Sequence, residues 1–193
     1  DSGVNLIDTA PIYGFGVSEQ IVGKAVQGKR DKVVIATKCG MVCRSDVGDF
    51  KFNSTFQKVD PDGHIPVRIY NGPESVREEV EMSLRRLGTD YIDVLQTHWQ
   101  ESTTPISETM DTLVRLKEEG KIRAIGACNA TVDQLSEYLS GGHLDVDQEK
   151  YSMLDRGLEG GQLAFCEKNK VSVWPFSPLA NGLLTGKIGP ERA

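Results

Sequence analysis

Asp8, Lys38, His98, Asn129 and Ser177 each fall at or just past the end of an apolar run of strand length, and Tyr13 follows Asp8 by one short turn. Carboxylate, ammonium and imidazole groups take up and release protons readily, and a phenol does so when a cation lies close. Taken singly, each has an ordinary explanation. Asp8 could cap a turn, Tyr13 could be a loop aromatic, Lys38 could be solvated and His98 could be a satisfied interior histidine. Their shared placement at the ends of successive strands makes them a candidate cluster. A lysine in such a place also permits Schiff-base chemistry when its pKa is lowered, but Asp8 beside Lys38 would keep the amine charged and disfavour it. Cys39, Cys43, Cys128 and Cys166 match neither zinc-ligand spacing nor a disulfide framework, so reduced thiols and no metal are expected. His64 and His143 sit in Gly-flanked loops and carry no expected role.

The elements that must position this cluster alternate between strand-length apolar runs and helix-period segments. Leu6–Thr9 reads as a strand. Ser18 is placed to cap a helix with an apolar stripe of Ile21, Val22, Ala25 and Val26, closed by Gly28. Val33–Thr37 is a strand buried on both faces. Cys39 to Pro73 then reads as a long loop, well beyond the usual connection length. Val76, Val80, Leu84 and Leu87 mark the next helix, stopping at Gly88, and Tyr91–Thr97 the next strand. Thr104-Pro105 opens a helix through Ile106, Met110 and Leu113, and Ile122–Ala127 is a strand. Thr131 and Gln134 fit a capping box ahead of Leu135 and Leu139. Asp145–Lys150 and Val171–Phe176 are the last two strands, with a helix around Gln162–Lys168 between them.

Six parallel strands with crossover helices fit either an open doubly wound sheet or part of a closed barrel. Polar residues past the ends of many strands favour the barrel mouth, since an open sheet would gather them near one switch point. No Gly-x-Gly-x-x-Gly run follows a strand, which speaks against a Rossmann-type dinucleotide site.

The motifs resemble those of the aldo-keto reductases. Asp8-Thr9-Ala10-Pro11-Ile12-Tyr13-Gly14, Thr37-Lys38-Cys39-Gly40, Ser83–Asp93 with Thr97-His98-Trp99, Gly120–Gly126, Tyr151–Arg156, Phe176–Leu179 and Gly182–Lys187 occur in the family's order. The closest likeness is to bacterial NADH-dependent members that reduce methylglyoxal. The resemblance implies a (β/α)8 TIM barrel of α/β class, with roughly six of its eight βα units in a single domain over residues 1–193, incomplete at both ends. Such an arc would leave two sheet edges open.

It further implies an NAD(P)H-dependent oxidoreductase reducing small aldehydes and ketones. Tyr13 would be the proton donor, Lys38 the cation stabilising its phenolate, Asp8 the partner of Lys38, and His98 the hydrogen-bond partner of the substrate oxygen. Asn129 and Gln148 would hold the nicotinamide carboxamide, Phe176 would stack on its ring, and Ser177, Leu179 and Lys187 would line the pyrophosphate. Relatives commonly have serine where this chain has Cys128. The cofactor would be NADPH or NADH, with NADH favoured by the likeness above. The family also includes cofactor-binding regulatory subunits with little catalysis; His98, which these can lack, points away from them. Trp99, with Phe50, Phe52, Phe56 and Tyr70 of the long loop, would wall the substrate pocket, although ordinary packing explains these aromatics equally well.

Composition agrees with a small-molecule enzyme. A net charge of −6 argues against a nucleic-acid surface, and the chain has 38% hydrophobic residues but no run long enough to span a membrane. A cytoplasmic location is expected, because the first residues lack the basic and apolar regions of a signal peptide.

Overall fold

The computed structural model describes residues 3–43, 45–54, 64–187 and 189. In chain order its strands are β1 (Leu6–Asp8), β2 (Val34–Cys39), β3 (Met41–Cys43), β4 (Asp49–Asn53), β5 (Pro66–Ile69), β6 (Ile92–Thr97), β7 (Ile122–Cys128), β8 (Val146–Lys150) and β9 (Ser172–Phe176). The helices are α1 (Val17–Ala25), α2 (Pro73–Leu87), α3 (Ile106–Glu118), α4 (Val132–Gly141) and α5 (Gln162–Asn169). Six strands form one parallel sheet in the order β1-β2-β6-β7-β8-β9, the topology of successive units of a (β/α)8 barrel. Helices cover its outer face. β1 and β9 are its two edges, and Leu6 on β1 is 41% exposed.

Alternation along each strand divides the core in two. Ile35, Leu95 and Ile125 point outward and pack with Val80, Leu84, Leu113 and Leu135 of the helices. Ala36, Val94 and Val146 face the other way, with Ala124 and Trp174 against them. Register aligns Lys38 with Gln96, Gln96 with Gly126, and Cys128 with Gln148, so the inward row turns polar toward the strand ends. Among the described residues no helix is long and apolar enough to cross a membrane.

The segment read as a long loop instead carries a three-stranded antiparallel sheet, ordered β3-β5-β4. Met41, Val67 and Ile69 are buried there, packed against Ile12 and Trp99. These strands hold three to five residues, too few alternations to stand out. Phe50 and Phe52 are exposed on β4, Tyr70 lines a cavity beside α2, and Phe56 lies outside the described residues.

Two helix starts also differ from expectation. Gly16, in the left-handed region at φ 93°, begins α1 with no side-chain cap; Ser18 lies inside the helix, its Oγ 2.7 Å from Thr9 Oγ1. Ile21 is 62% exposed, and the buried face runs through Glu19, Gly23 and Val26 instead. α1 approaches the end of α2 so closely that a Cβ on Gly23 would lie 2.6 Å from the Leu87 carbonyl oxygen. At α3 the cap position is Pro105, without a side-chain cap from Thr104. The Thr131–Gln134 capping box forms as expected, with both reciprocal bonds present.

Because the obstacle at Gly23 is backbone, Gly23→Ala should destabilise the protein by roughly 1–3 kcal/mol, the usual cost of overpacking. Urea unfolding of the two proteins measures this; an unchanged midpoint would mean that α1 and α2 separate freely.

Candidate active site

At the mouth of the parallel sheet the backbone brings Asp8, Lys38 and His98 together. Asp8 ends β1, Lys38 is the next-to-last residue of β2, and His98 follows β6, its N–H donating to the Cys39 carbonyl at 2.9 Å. Lys38 Nζ donates to both Asp8 oxygens at 2.8 Å and to the Thr9 carbonyl at 3.0 Å. All three ammonium donors therefore have acceptors. Lys38 is 2% exposed and Asp8 35%. Tyr13 hangs over the pair from the turn after β1, its ring centroid 5.4 Å from Lys38 Nζ. The His98 ring meets the Tyr13 ring edge-on at 5.9 Å.

These four residues and Trp99 form one wall of a cavity of about 350 Å³, and Cys128, Asn129, Gln148, Phe176 and Ser177 form the other. That volume suits a small ligand or part of a larger one. Larger cavities of about 490 and 800 Å³ lie beside α2 but contain none of the four. Chemistry, not size, identifies the site.

Burial governs the electrostatics. It pushes the Tyr13 phenol above its ordinary value; Lys38 pulls the other way, while Asp8 and Cys128 add to the rise. The expected lowering by Lys38 is thus outweighed, and Tyr13 stays protonated at neutral pH. Burial, with Lys38 and Lys51 nearby, drives His98 down to about 3, so its imidazole is neutral at physiological pH. Burial also lifts the Cys128 thiol well above the usual range, which keeps it protonated and unreactive.

The structure brings five of the seven expected ligand-side residues to this cavity, in different ways. Asn129, at φ 55°, donates from Nδ2 to the His98 carbonyl at 3.0 Å. Gln148 Oε1 faces the Cys128 thiol at 3.3 Å. Trp99 lies under Lys51 of β4, whose Nζ is 3.3 Å from its ring centroid. Phe176 and Ser177 line the cavity, but Leu179 and Lys187 do not; they are exposed on and beyond the short helical turn after β9. Lys51 and Gln96 are contributors that the sequence did not single out. Gln96 Nε2 lies 3.4 Å from Asp8 Oδ1, and only its inward register beside Lys38 reveals it. Among the described residues no group of His, Cys, Asp or Glu could hold a metal ion.

The sequence profile of the aldo/keto reductase family matches residues 1–193. The chain is 50% identical over 190 residues to the NADH-specific methylglyoxal reductase of Escherichia coli K12, covering 96% of this chain and 56% of that protein. It superposes on the structure of a glycerol dehydrogenase from Gluconobacter oxydans with a TM-score of 0.87 at 36% identity, over 99% of this chain and 54% of that one. A Klebsiella pneumoniae aldo/keto reductase solved in complex with NADP and acetate gives 0.74 at 30% identity, over 94% and 56% of the two chains. The chain spans a little over half the length of these relatives.

With a folded pKa of about 3, the His98 Cε1 proton should show no NMR titration between pH 5 and 8. The unfolded chain binds the extra proton below pH 6.5, so this residue's contribution should make stability fall as pH drops from 6.5 toward 3. A titration midpoint near 6.5 in the folded protein would contradict the buried, neutral assignment.

Proposed function

Because this chain belongs to the aldo/keto reductase family, we propose that the protein carrying it reduces small aldehydes and ketones with a nicotinamide cofactor, Tyr13 supplying the proton. The observation that carries the reading is the convergence of Asp8, Tyr13, Lys38 and His98 on one cavity wall. A Schiff base at Lys38 fits poorly, since Asp8 holds the ammonium through both oxygens.

The opposite wall fits a carboxamide. Asn129 has committed Nδ2 to the His98 carbonyl, which leaves Oδ1 as an acceptor. Gln148 has turned Oε1 toward the Cys128 thiol, which leaves Nε2 as a donor. One acceptor beside one donor complements an amide, and Phe176 offers an aromatic face next to them. Ser177 would continue this side toward the pyrophosphate, with Leu179 and Lys187 on the exposed turn beyond it. When bound, the reduced nicotinamide supplies the hydride. The likeness to the NADH-specific Escherichia coli enzyme favours NADH over NADPH, and 2-oxoaldehydes such as methylglyoxal are the proposed substrates.

Hydride addition to a carbonyl carbon leaves negative charge on oxygen, and that oxygen must be protonated. Tyr13 is protonated at neutral pH and so is ready to give its proton. Lys38 is the nearest cation to the phenolate that results. His98, neutral, orients the carbonyl oxygen by donating a hydrogen bond without competing as an acid. The raised phenol fixes the sign of the pH response. Reduction should be level through neutrality and decline only above about pH 10, the ordinary tyrosine value, whereas alcohol oxidation should rise toward it.

Nicotinamide absorbance with NADH and NADPH over a carbonyl panel tests the activity. Tyr13→Phe should lower kcat by about 10²- to 10⁴-fold, the usual contribution of a positioned acid, with cofactor binding retained. Wild-type turnover in that variant would remove Tyr13 from the acid role. Tight cofactor binding with no turnover across the panel would instead favour a regulatory cofactor-binding subunit.

A further inference from the structure

β8 carries two carboxyl groups in contact, directly behind the cavity wall that fits a carboxamide. Asp147 and Glu149 stand two positions apart on the strand and share its outer face, while Gln148 between them points into the cavity. Both carboxyl groups are buried. They are hydrogen-bonded to each other, and since an ionised carboxylate can only accept, a proton lies between them. Asp147 Oδ2 already accepts from Gln162 Nε2 at 2.8 Å, with the Cys166 thiol at 3.6 Å, and both contacts favour its ionised form. Its Oδ1 is buried and has no amide, hydroxyl or thiol partner among the described residues. Glu149 is therefore the member that holds the proton.

The same glutamate grips the backbone at the end of β7. Its Oε1 accepts the Ala130 N–H at 2.6 Å, and the Asn129 N–H, which donates to the Gln148 carbonyl at 3.2 Å, also reaches the Glu149 carboxyl group. Asn129 stands at φ 55°, a left-handed backbone that asparagine keeps only where its surroundings hold it. That backbone sends its side chain into the cavity, where Nδ2 meets the His98 carbonyl and Oδ1 is left to accept. Gln162 closes the arrangement from α5, its Nε2 bridging Asp147 Oδ2 and the Ala130 carbonyl.

We infer that Glu149 is a positioning residue for the nicotinamide: sharing one proton with Asp147, it clamps the Asn129–Ala130 backbone and so aims the Asn129 amide at the carboxamide. The inference rests on the reading of Asn129 as a cofactor ligand. The clamp holds while the proton is present. Burial, with Asp147 beside it, lifts Glu149 to about 8, so raising the pH through that value gives the proton to solvent and leaves two anions in contact where water screens little. Their repulsion separates the carboxyl groups and loosens the grip on the Ala130 N–H. The other titratable groups facing the pair are the thiols of Cys166 on α5 and Cys128 on β7, both pushed up by burial and neutral throughout this range.

Affinity for NADH, read by fluorescence titration of the whole protein from about pH 6 to 9.5, tests the clamp without turnover. In the wild-type protein Kd should be level to about pH 7 and rise roughly five- to ten-fold by about pH 9.5, as expected for losing one hydrogen bond. Glu149→Leu should weaken binding by a similar factor at every pH. Glu149→Gln keeps an acceptor for Ala130 and an N–H for Asp147 but has no proton to lose; it should restore the neutral-pH affinity and hold it level across the range. In the protein free of NADH, the Glu149 carboxyl carbon should titrate near 8 by NMR. Should Glu149→Leu fail to fold, the wild-type and Glu149→Gln profiles decide alone, since only a titrating clamp bends the first and leaves the second level. A wild-type Kd that stays level, or one that rises equally in Glu149→Gln, overturns the inference alone when Asn129→Ala still weakens NADH binding. Unchanged NADH binding in Asn129→Ala overturns it together with the reading of the carboxamide wall.

Discussion

A lysine ammonium that is 2% exposed inside a sheet needs a carboxylate at contact distance, and the rest of the site depends on how Asp8 supplies it. Removing either partner would leave an uncompensated charge in a place where water screens little, a change far costlier than the pair is stabilising. The fold meets this need with two adjacent parallel strands. Asp8 pairs in register with Ala36, and Lys38 lies one inward position further along β2, so the longer side chain reaches back to both carboxylate oxygens. The pair is nearly neutral as a unit. Burial raises the Tyr13 phenol by more than Lys38 lowers it, and Asp8 offsets part of the lysine's pull.

The outer face of the sheet repeats a second device. Glu79 of α2 accepts the Gly40 N–H through both oxygens at 3.0 and 3.2 Å, fixing the backbone just after Lys38. Glu149 of β8 accepts the Ala130 N–H at 2.6 Å, fixing the backbone just after Asn129. Glu19 of α1, fully buried, accepts from Thr37 at 2.7 Å and pairs with Arg86 of α2 at 2.6 Å. Lys38 and Asn129 are thus each flanked by a backbone or hydroxyl donor tied to a buried carboxyl group. Burial pushes Glu79 and Glu149 up to about 8, the mark of carboxyl groups held where ionisation is disfavoured. They are scaffolding for the strand ends, and their strain is tolerated because the N–H groups they capture would otherwise be orphaned.

How far the sequence could be read follows from the lengths and phases involved. Most of the main strands stand out because an apolar run is followed by a helix with an apolar stripe, whereas β8 is mostly polar and β9 leads only into a short helical turn; the tetrad is legible because its members lie at or just past the ends of the apolar runs. β3, β4 and β5 were hidden by their length. Gly23 and Ile21 mislead in another way: apolar type suggests that Ile21 faces the core, whereas the close approach of α1 to α2 is made by the residue with no side chain. Gln96 was invisible because a neutral amide inside a strand looks like filler. Its meaning comes only from the register that sets it between Lys38 and Gly126.

The same register explains why the two walls of the cavity are chemically unlike. Toward β1 and β2 the inward row ends in a charge pair with Tyr13 above it; toward β8 and β9 it ends in amides, a thiol and an aromatic ring. Between them, Gln96 and Cys128 are neutral and can orient without adding charge. In the proposed reaction the negative charge would begin on the substrate oxygen and pass to Tyr13, toward the wall that holds Lys38. A protonated His98 would be a second cation and a competing acid beside that path. Burial and two neighbouring lysines remove this competitor, so the charge has one place to go.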